Sequence, residues 1–230
     1  MMICVAHRGS SGEYPENTLL AFRRALEAGA TWLELDVHLS ADGELIVIHD
    51  ESLERTTNGS GLVGNFCLQE LRRLDAGRGE AIPLLAEVLA LLGEKDTLNI
   101  ELKGKGTGSV TAMLLKEWLE RGQIKPENLL ISSFSPAELF HFRRGVSELR
   151  LAIICDQLPE NLWGLAESLR LWSCHFERTL ITDEMVAEAH RRGLRVLAFT
   201  VNQHSELQRL EKLGVDGVFT DFFATILMRQ

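Results

Sequence analysis

The 230-residue chain has only four cysteines, at positions 4, 67, 155 and 174, with no CxxC pair and no histidine at zinc-ligand spacing. Neither a disulfide framework nor a structural zinc site is expected, and the thiols read as buried and free. No apolar run reaches the roughly 18 residues that a membrane span requires. Met1 to Cys4 is too short and too uncharged for a signal peptide. The expected compartment is the cytoplasm, without stable membrane association. Positive charge is also in deficit: 24 Lys and Arg stand against 33 Asp and Glu, for a formal net charge of −9. Such a chain has no electrostatic footprint for nucleic acid, and an anionic substrate would need a local concentration of cations. Internal repeats, low-complexity tracts and linkers are lacking too, so one domain over residues 1–230 is expected.

The composition that is present, 45% hydrophobic and 25% charged, is that of an ordinary globular protein. Nine short runs rich in β-branched residues recur along the chain: Ile3 to Ala6, Trp32 to Leu39, Leu45 to Ile48, Leu98 to Leu102, Leu129 to Ser133, Leu151 to Cys155, Leu171 to Phe176, Val196 to Val201 and Val215 to Thr220. Most are followed by a segment of helical periodicity, the pattern of parallel strands joined by crossover helices. Only Ser40-Ala41-Asp42-Gly43-Glu44 separates the second run from the third. That is too short for a parallel crossover and contains an Asp-Gly turn signal, so a hairpin is expected. Counted as one position, the hairpin leaves eight strands and predicts a (βα)8 barrel, the TIM-barrel fold class. Helices are expected over Asn17 to Ala28, Leu84 to Leu92, Ser109 to Arg121, Pro136 to Arg144, Glu160 to Glu167, Asp183 to Arg192, Ser205 to Lys212 and Phe222 to Met228. The glycine-rich stretch from Glu51 to Ile82 fits neither period and reads as an insertion on the barrel rim, after the hairpin.

In such barrels the chemistry sits at the carboxyl ends of strands. That rule selects His7-Arg8-Gly9, Glu34-Leu35-Asp36, His49-Asp50 and Glu101-Leu102-Lys103. Strand residues two apart share a face, so Glu34 pairs with Asp36, and Glu101 with Lys103. Threading the hairpin about its turn sets His49 roughly opposite Glu34. Each motif alone has a plain reading: a hydrogen-bonded structural histidine, a solvated edge, a surface ion pair. Their coincidence on one face of one barrel carries the functional reading.

Three carboxylates converging in a partly dry cleft repel one another unless they are protonated or neutralised by a cation. An all-oxygen donor set favours Mg²⁺ or Ca²⁺ over zinc. Arg8 and Lys103 then turn the local balance positive, supplying what an anionic substrate demands. Two histidines beside the ion suit proton transfer near neutral pH, one as base and one as acid. The set reads as metal-assisted phosphoryl transfer. His38, two positions past Asp36, either shares the metal face or is lifted off it by the hairpin. Gly104-Lys105-Gly106-Thr107-Gly108 lacks the spacing of a phosphate-binding loop and reads as a flexible strand-to-helix connection.

The ordered motifs resemble the glycerophosphodiester phosphodiesterases, in particular the small bacterial cytoplasmic type. The resemblance runs nearly end to end through Ala6-His7-Arg8-Gly9, Pro15-Glu16-Asn17-Thr18, Glu34-Leu35-Asp36-Val37, Ile48-His49-Asp50-Glu51, Ile100-Glu101-Leu102-Lys103, Ser132-Ser133-Phe134, Thr200-Val201-Asn202 and Asp216-Gly217-Val218-Phe219-Thr220-Asp221. It implies a (βα)8 barrel with a small insertion, and divalent-metal-dependent hydrolysis of glycerophosphodiesters to glycerol 3-phosphate and an alcohol. By position it implies Glu34, Asp36 and Glu101 as metal ligands, His7 and His49 as acid and base, and Arg8 and Lys103 as phosphate contacts. Glu16 and Asn17 would orient the site or help bind the ion, and Ser133 and the Thr200 to Asn202 segment would line the mouth. Two positions depart from the family pattern. Phe199 stands where many relatives have Trp or Tyr, and Leu84 where Thr is common, which is expected to alter substrate packing and a helix cap. A phospholipid-directed barrel phosphodiesterase is the nearest alternative, with Leu62, Val63, Phe66 and Leu68 as a modest apolar patch. A non-catalytic glycerophosphodiester-binding protein is the other, against which the retention of both histidines argues.

Overall fold

A computed structural model describes residues 2–227 of the chain, so Met1 and the last expected helical position, Met228, lie outside the described residues. The strands are β1 (Ile3–Ala6), β2 (Trp32–Leu39), β3 (Leu45–Val47), β4 (Thr97–Leu102), β5 (Leu129–Ser133), β6 (Arg150–Cys155), β7 (Ser173–Glu177), β8 (Arg195–Phe199) and β9 (Gly217–Thr220). The helices are α1 (Leu19–Glu27), α2 (Leu68–Leu71), α3 (Leu85–Leu89), α4 (Thr107–Glu120), α5 (Pro136–Gly145), α6 (Leu162–Ser168), α7 (Asp183–Arg191), α8 (His204–Lys212) and α9 (Phe223–Leu227). Eight strands pair in parallel in the order β1-β9-β8-β7-β6-β5-β4-β2, and pairing of β1 with β2 closes the ring. This is a TIM barrel, with β3 as an extra antiparallel strand on β2.

Local chemistry accounts for the elements. Thr18 caps α1 by accepting from the Ala21 amide, and Phe22 and the small Ala21 and Ala25 face the sheet. Ser135 followed by Pro136 starts α5, and Thr182 starts α7 with Asp183 and Glu184 in its first turn. Leu84 stands at the cap of α3 and offers no side-chain acceptor, while Glu87 reaches back to the Leu84 amide at 2.8 Å. Half of a reciprocal cap is thus missing where a hydroxyl residue would complete it. In the hairpin, Gly43 takes a φ of 85° at the turn, and Asp42 accepts the Leu68 amide, tying the turn to α2.

The principal apolar core lies between the sheet and its helices, around Leu33, Leu35, Leu98, Ile100, Ile131 and Phe142. A second cluster, Ile46, Ile48, Leu53, Val63, Leu71, Ala76 and Ile82, sits under the segment that follows β3. Val63 is fully buried there, and Phe66 and Leu68 pack against it, leaving Leu62 exposed. The apolar surface patch expected of those four residues does not form. Among the described residues, no helix is long and apolar enough to cross a membrane. All four cysteines are free; Cys155 and Cys174 are buried, whereas Cys4 and Cys67 are only half-buried, a departure from the expected burial.

Candidate active site

The first strand ends into a tight connection that aims two side chains at the barrel mouth. Arg8 has a φ of 55°, and its amide donates to Glu34 Oε2 at 2.9 Å. Gly9 follows at a φ of 80°, where an added Cβ would lie 2.6 Å from the Ala21 backbone. Only glycine fits there. Asn17, also left-handed at 57°, is buried and donates from Nδ2 to Asp36 Oδ2 at 2.8 Å.

Glu34, Asp36 and Glu101 each offer an oxygen within 4.8 Å of the others, and all three are buried. Lys103 Nζ lies 3.0 Å from Glu101 Oε1 and 3.8 Å from Asp36 Oδ1, while Arg8 Nε lies 3.3 Å from Asp36 Oδ2. Burial, with the charges of Asp36 and Glu101, pushes the Glu34 carboxyl well up. Burial and Asp36 likewise raise Glu101, to about 7. Burial acts on Asp36 in the same sense, but Arg8, Lys103 and His49 outweigh it and hold that carboxyl low. Among the described residues, Asp36 Oδ1 accepts no hydrogen bond. Oxygens this close, buried and incompletely paired, suit a hard divalent cation, and these residues fit one.

Each histidine flanking the cluster is held through Nδ1 by a carboxylate. His7 Nδ1 lies 2.7 Å from Asp221 Oδ1, and its Nε2 lies 4.0 Å from Glu34 Oε2. Asp221 is fastened by Ser11 at 3.0 Å and Asn202 at 2.6 Å. Burial alone would raise the Asp221 carboxyl, but these contacts, His7 foremost, hold it down at about 2. His49 Nδ1 lies 2.5 Å from Asp50 Oδ1, and Asp50 accepts in turn from Arg55 at 2.6 Å. Arg55 also grips Glu16, which accepts from Arg8 at 2.8 Å. A continuous chain of charges thus runs from His49 through Asp50, Arg55 and Glu16 to Arg8. Burial lowers the His49 imidazole against the pull of Asp36.

The cleft encloses about 510 Å³ of space, part of it open to solvent. His7, Arg8, Glu34, His49, Glu101 and Lys103 line it together with Phe134, Phe199 and Thr200. Three placements depart from the sequence reading. Ser133 is fully buried and points away from the cleft, donating to Leu102 O at 2.6 Å and accepting from the Ser135 amide, because alternation along β5 turns Ser132 inward instead. Phe134 takes the wall. The β2–β3 register pairs Val37 with Val47, and the Ile48 amide bonds Asp36 O, so continuation brings His49 level with Leu35, one residue off the expected Glu34. His49 reaches the cleft from the chain beyond the strand. The glycine loop is pinned rather than flexible: the Gly106 and Gly108 amides both donate to the buried Glu138 carboxylate, at 2.9 and 2.8 Å.

Glu16 and Asn17 stand behind Arg8 and Asp36 and act on the cluster through them. His38 is lifted off the carboxylates, its Nε2 lying 3.0 Å from His49 O. Sequence reasoning missed Asp221, Asp50 and Arg55 as partners. A carboxylate immediately after β9 was the available signal for Asp221. Nothing local marks His175, a lone histidine within an apolar run that nevertheless lines the cleft.

Comparison with known proteins places this geometry. The glycerophosphoryl diester phosphodiesterase family matches over residues 7–225. A glycerophosphodiester phosphodiesterase of Caldanaerobacter subterraneus subsp. tengcongensis is 37% identical over 98% of this chain and 96% of its own. One from Bacillus altitudinis is 38% identical over 94% of this chain and 93% of its own. Among solved structures, an Oleispira antarctica phosphodiesterase in complex with the product sn-glycerol-3-phosphate superposes with a TM-score of 0.91 at 34% identity, covering 98% of this chain and 95% of that one.

Proposed function

The chain belongs to the glycerophosphoryl diester phosphodiesterase family and is an enzyme of that activity, and from this premise we propose that it hydrolyses glycerophosphodiesters to sn-glycerol 3-phosphate and an alcohol with Mg²⁺ or Ca²⁺ on Glu34, Asp36 and Glu101. The observation that carries the reading is the pair of histidine–carboxylate dyads facing one buried acidic cluster.

A phosphodiester resists cleavage because its own charge repels nucleophiles and because an alkoxide leaves poorly. A divalent cation, when bound, neutralises the carboxylates and polarises phosphoryl oxygen. Arg8 and Lys103 add fixed positive charge at the same wall, where they oppose the charge that grows in the transition state. Asp221 and Asp50, each on a histidine Nδ1, fix both rings so that Nε2 is the reactive atom. One Nε2 takes the proton of the attacking hydroxyl, and the other gives a proton to the departing alcohol. The attacking hydroxyl is that of water or of the substrate's own glycerol. The phosphate and glycerol are gripped within the cleft and the alcohol half remains toward solvent, so choline, ethanolamine and glycerol head groups should turn over at comparable rates.

The deciding experiment is release of glycerol 3-phosphate from glycerophosphocholine after chelation, and again with Mg²⁺ or Ca²⁺ restored. Metal-restored release supports the reading. Absence of turnover with either metal in folded protein would overturn it in favour of an intact-phospholipid substrate, detected with vesicles, or of binding without cleavage.

A further inference from the structure

Beneath the carboxylates the barrel interior departs from the branched aliphatic filling usual in such folds. Asn99 on β4 and His175 on β7 both line the floor of the cleft and are each 1% exposed. Asn99 precedes Glu101 by two residues on the same face and so lies one layer deeper. Its Nδ2 donates to Ser132 Oγ at 2.9 Å, but its Oδ1 has no hydrogen-bond partner among the described residues. His175 Nε2 lies 3.0 Å from Ser173 Oγ, and its Nδ1 likewise has no hydrogen-bond partner among the described residues. Phe219 packs against the imidazole with ring centroids 4.9 Å apart. Burial drives His175 down to about 3, so the ring is neutral.

Buried polar atoms are almost always paired, because leaving one unpaired costs about 1–3 kcal/mol. Two orphans in the wall of one cleft mark a place where a ligand completes the bonding. The chemistry of the pair is specific. A carboxamide oxygen only accepts. The neutral imidazole donates at Nδ1 when Nε2 accepts the Ser173 hydroxyl proton, and accepts there when Nε2 carries the proton. A hydroxyl group, donor and acceptor at once, can meet either atom. A phosphodiester anion has no proton to offer Asn99, so the phosphate belongs higher, beside Arg8 and Lys103. Ile154 and Phe219, the apolar neighbours of the pair in the lining, suit a short carbon skeleton.

We propose that Asn99 and His175 form a hydroxyl-recognising floor that binds the glycerol half of the substrate and selects it over other phosphodiesters. The assignment rests on the substrate class proposed above.

Calorimetry on the metal-loaded protein tests it with sn-glycerol 3-phosphate and two analogues, propane-1,2-diol 1-phosphate and propane-1,3-diol phosphate, each lacking one hydroxyl. The wild type should bind glycerol 3-phosphate about 10-fold more tightly than at least one analogue, the worth of one buried hydrogen bond. In Asn99→Leu and His175→Phe that ratio should collapse toward one, whatever happens to absolute affinity. Asn99→Ser and His175→Gln replace any variant that does not fold by thermal denaturation. Equal binding of all three ligands by the wild type, binding of none, or an undiminished ratio in the variants, as an ordered water on the two atoms would produce, overturns the proposal. Turnover of glycerophosphocholine is scored separately. Selective binding without turnover sinks the catalytic reading and keeps the floor, and turnover without selectivity does the reverse.

Discussion

At the amino-terminal end of the barrel Trp32 and Trp172 stack at 6.0 Å, and the Arg150 guanidinium lies 5.3 and 4.9 Å from their rings. Arg195 covers Trp172 at 4.5 Å, and Arg150 also donates to Leu129 O and Glu127 O. At the carboxyl end, three buried carboxylates crowd together and Asp36 Oδ1 accepts no hydrogen bond among the described residues. At the first end Arg150 is half-buried and Arg195 exposed, whereas the three carboxyls of the second are all buried. One end spreads its two neighbouring cations over aromatic faces and carbonyls, contacts that offset the partial burial of Arg150 and its repulsion by Arg195. The other crowds three carboxyls against Arg8 and Lys103, so that burial and mutual repulsion favour protons on Glu34 and Glu101 until a further cation displaces them. The difference separates the part of the barrel that supplies stability from the part that stores unsatisfied interaction for a ligand.

Breaking the closed end should show the largest effect. Trp172→Ala removes the ring that both arginines cover and should cost about 3 kcal/mol in denaturant unfolding, as large-to-small aromatic changes do. Turnover per folded molecule should stay unchanged; a parallel loss of turnover would mean the two ends are coupled. At the open end the pattern should invert. His7→Ala and His49→Ala should each lower kcat by at least about 100-fold, the usual contribution of an acid or base, with unfolding midpoints near wild type. Glu34→Gln sharpens the contrast further. Because burial and its neighbours already favour the neutral form of Glu34, the amide should leave the metal-free protein at least as stable. Divalent-metal affinity by calorimetry should nevertheless fall at least roughly 10-fold, through loss of a ligand. A lower Tm in the metal-free variant would show that the carboxylate stabilises the fold.

The smallest effect concerns pH. Glu101 is raised from 4.5 to about 7, so between those values the folded metal-free protein keeps a proton that the unfolded chain has released. Its stabilisation is full below pH 4.5 and is lost as pH rises through about 7. Glu34 acts in the same sense, whereas the depressed Asp36 acts only below its ordinary 3.8. The Tm of the chelated protein should fall on the order of 5 °C from pH 5 to 8. Added metal must displace those protons, so its Tm increment should grow over the same range. A pH-independent increment would remove Glu101 and Glu34 from the ligand set.

The order and type of the main elements were legible because short-range periodicity and capping specify them: Ser135 and Thr182 each begin the helix their chemistry predicts, while the helix expected from Asn17 begins at Leu19 with Thr18 as its cap. Legible also were Glu34, Asp36, Glu101, Arg8, Lys103, His7 and His49 as neighbours, since alternation along a strand and the barrel's chain direction suffice to gather strand-end residues on one rim. The four-residue α2 went unseen, too short to carry a period. The placement of Ser133 was lost because one step along β5 turns a side chain from cleft to core. Tertiary closure alone decided the rest. It brings Asp221 onto His7 across 214 positions of sequence and turns the Gly106 and Gly108 amides to Glu138. It also sets Asn99 and His175 in one floor from separate strands. Such pairings depend on which strands meet and at what depth, and these follow from ring closure and its register rather than from any local run of residues.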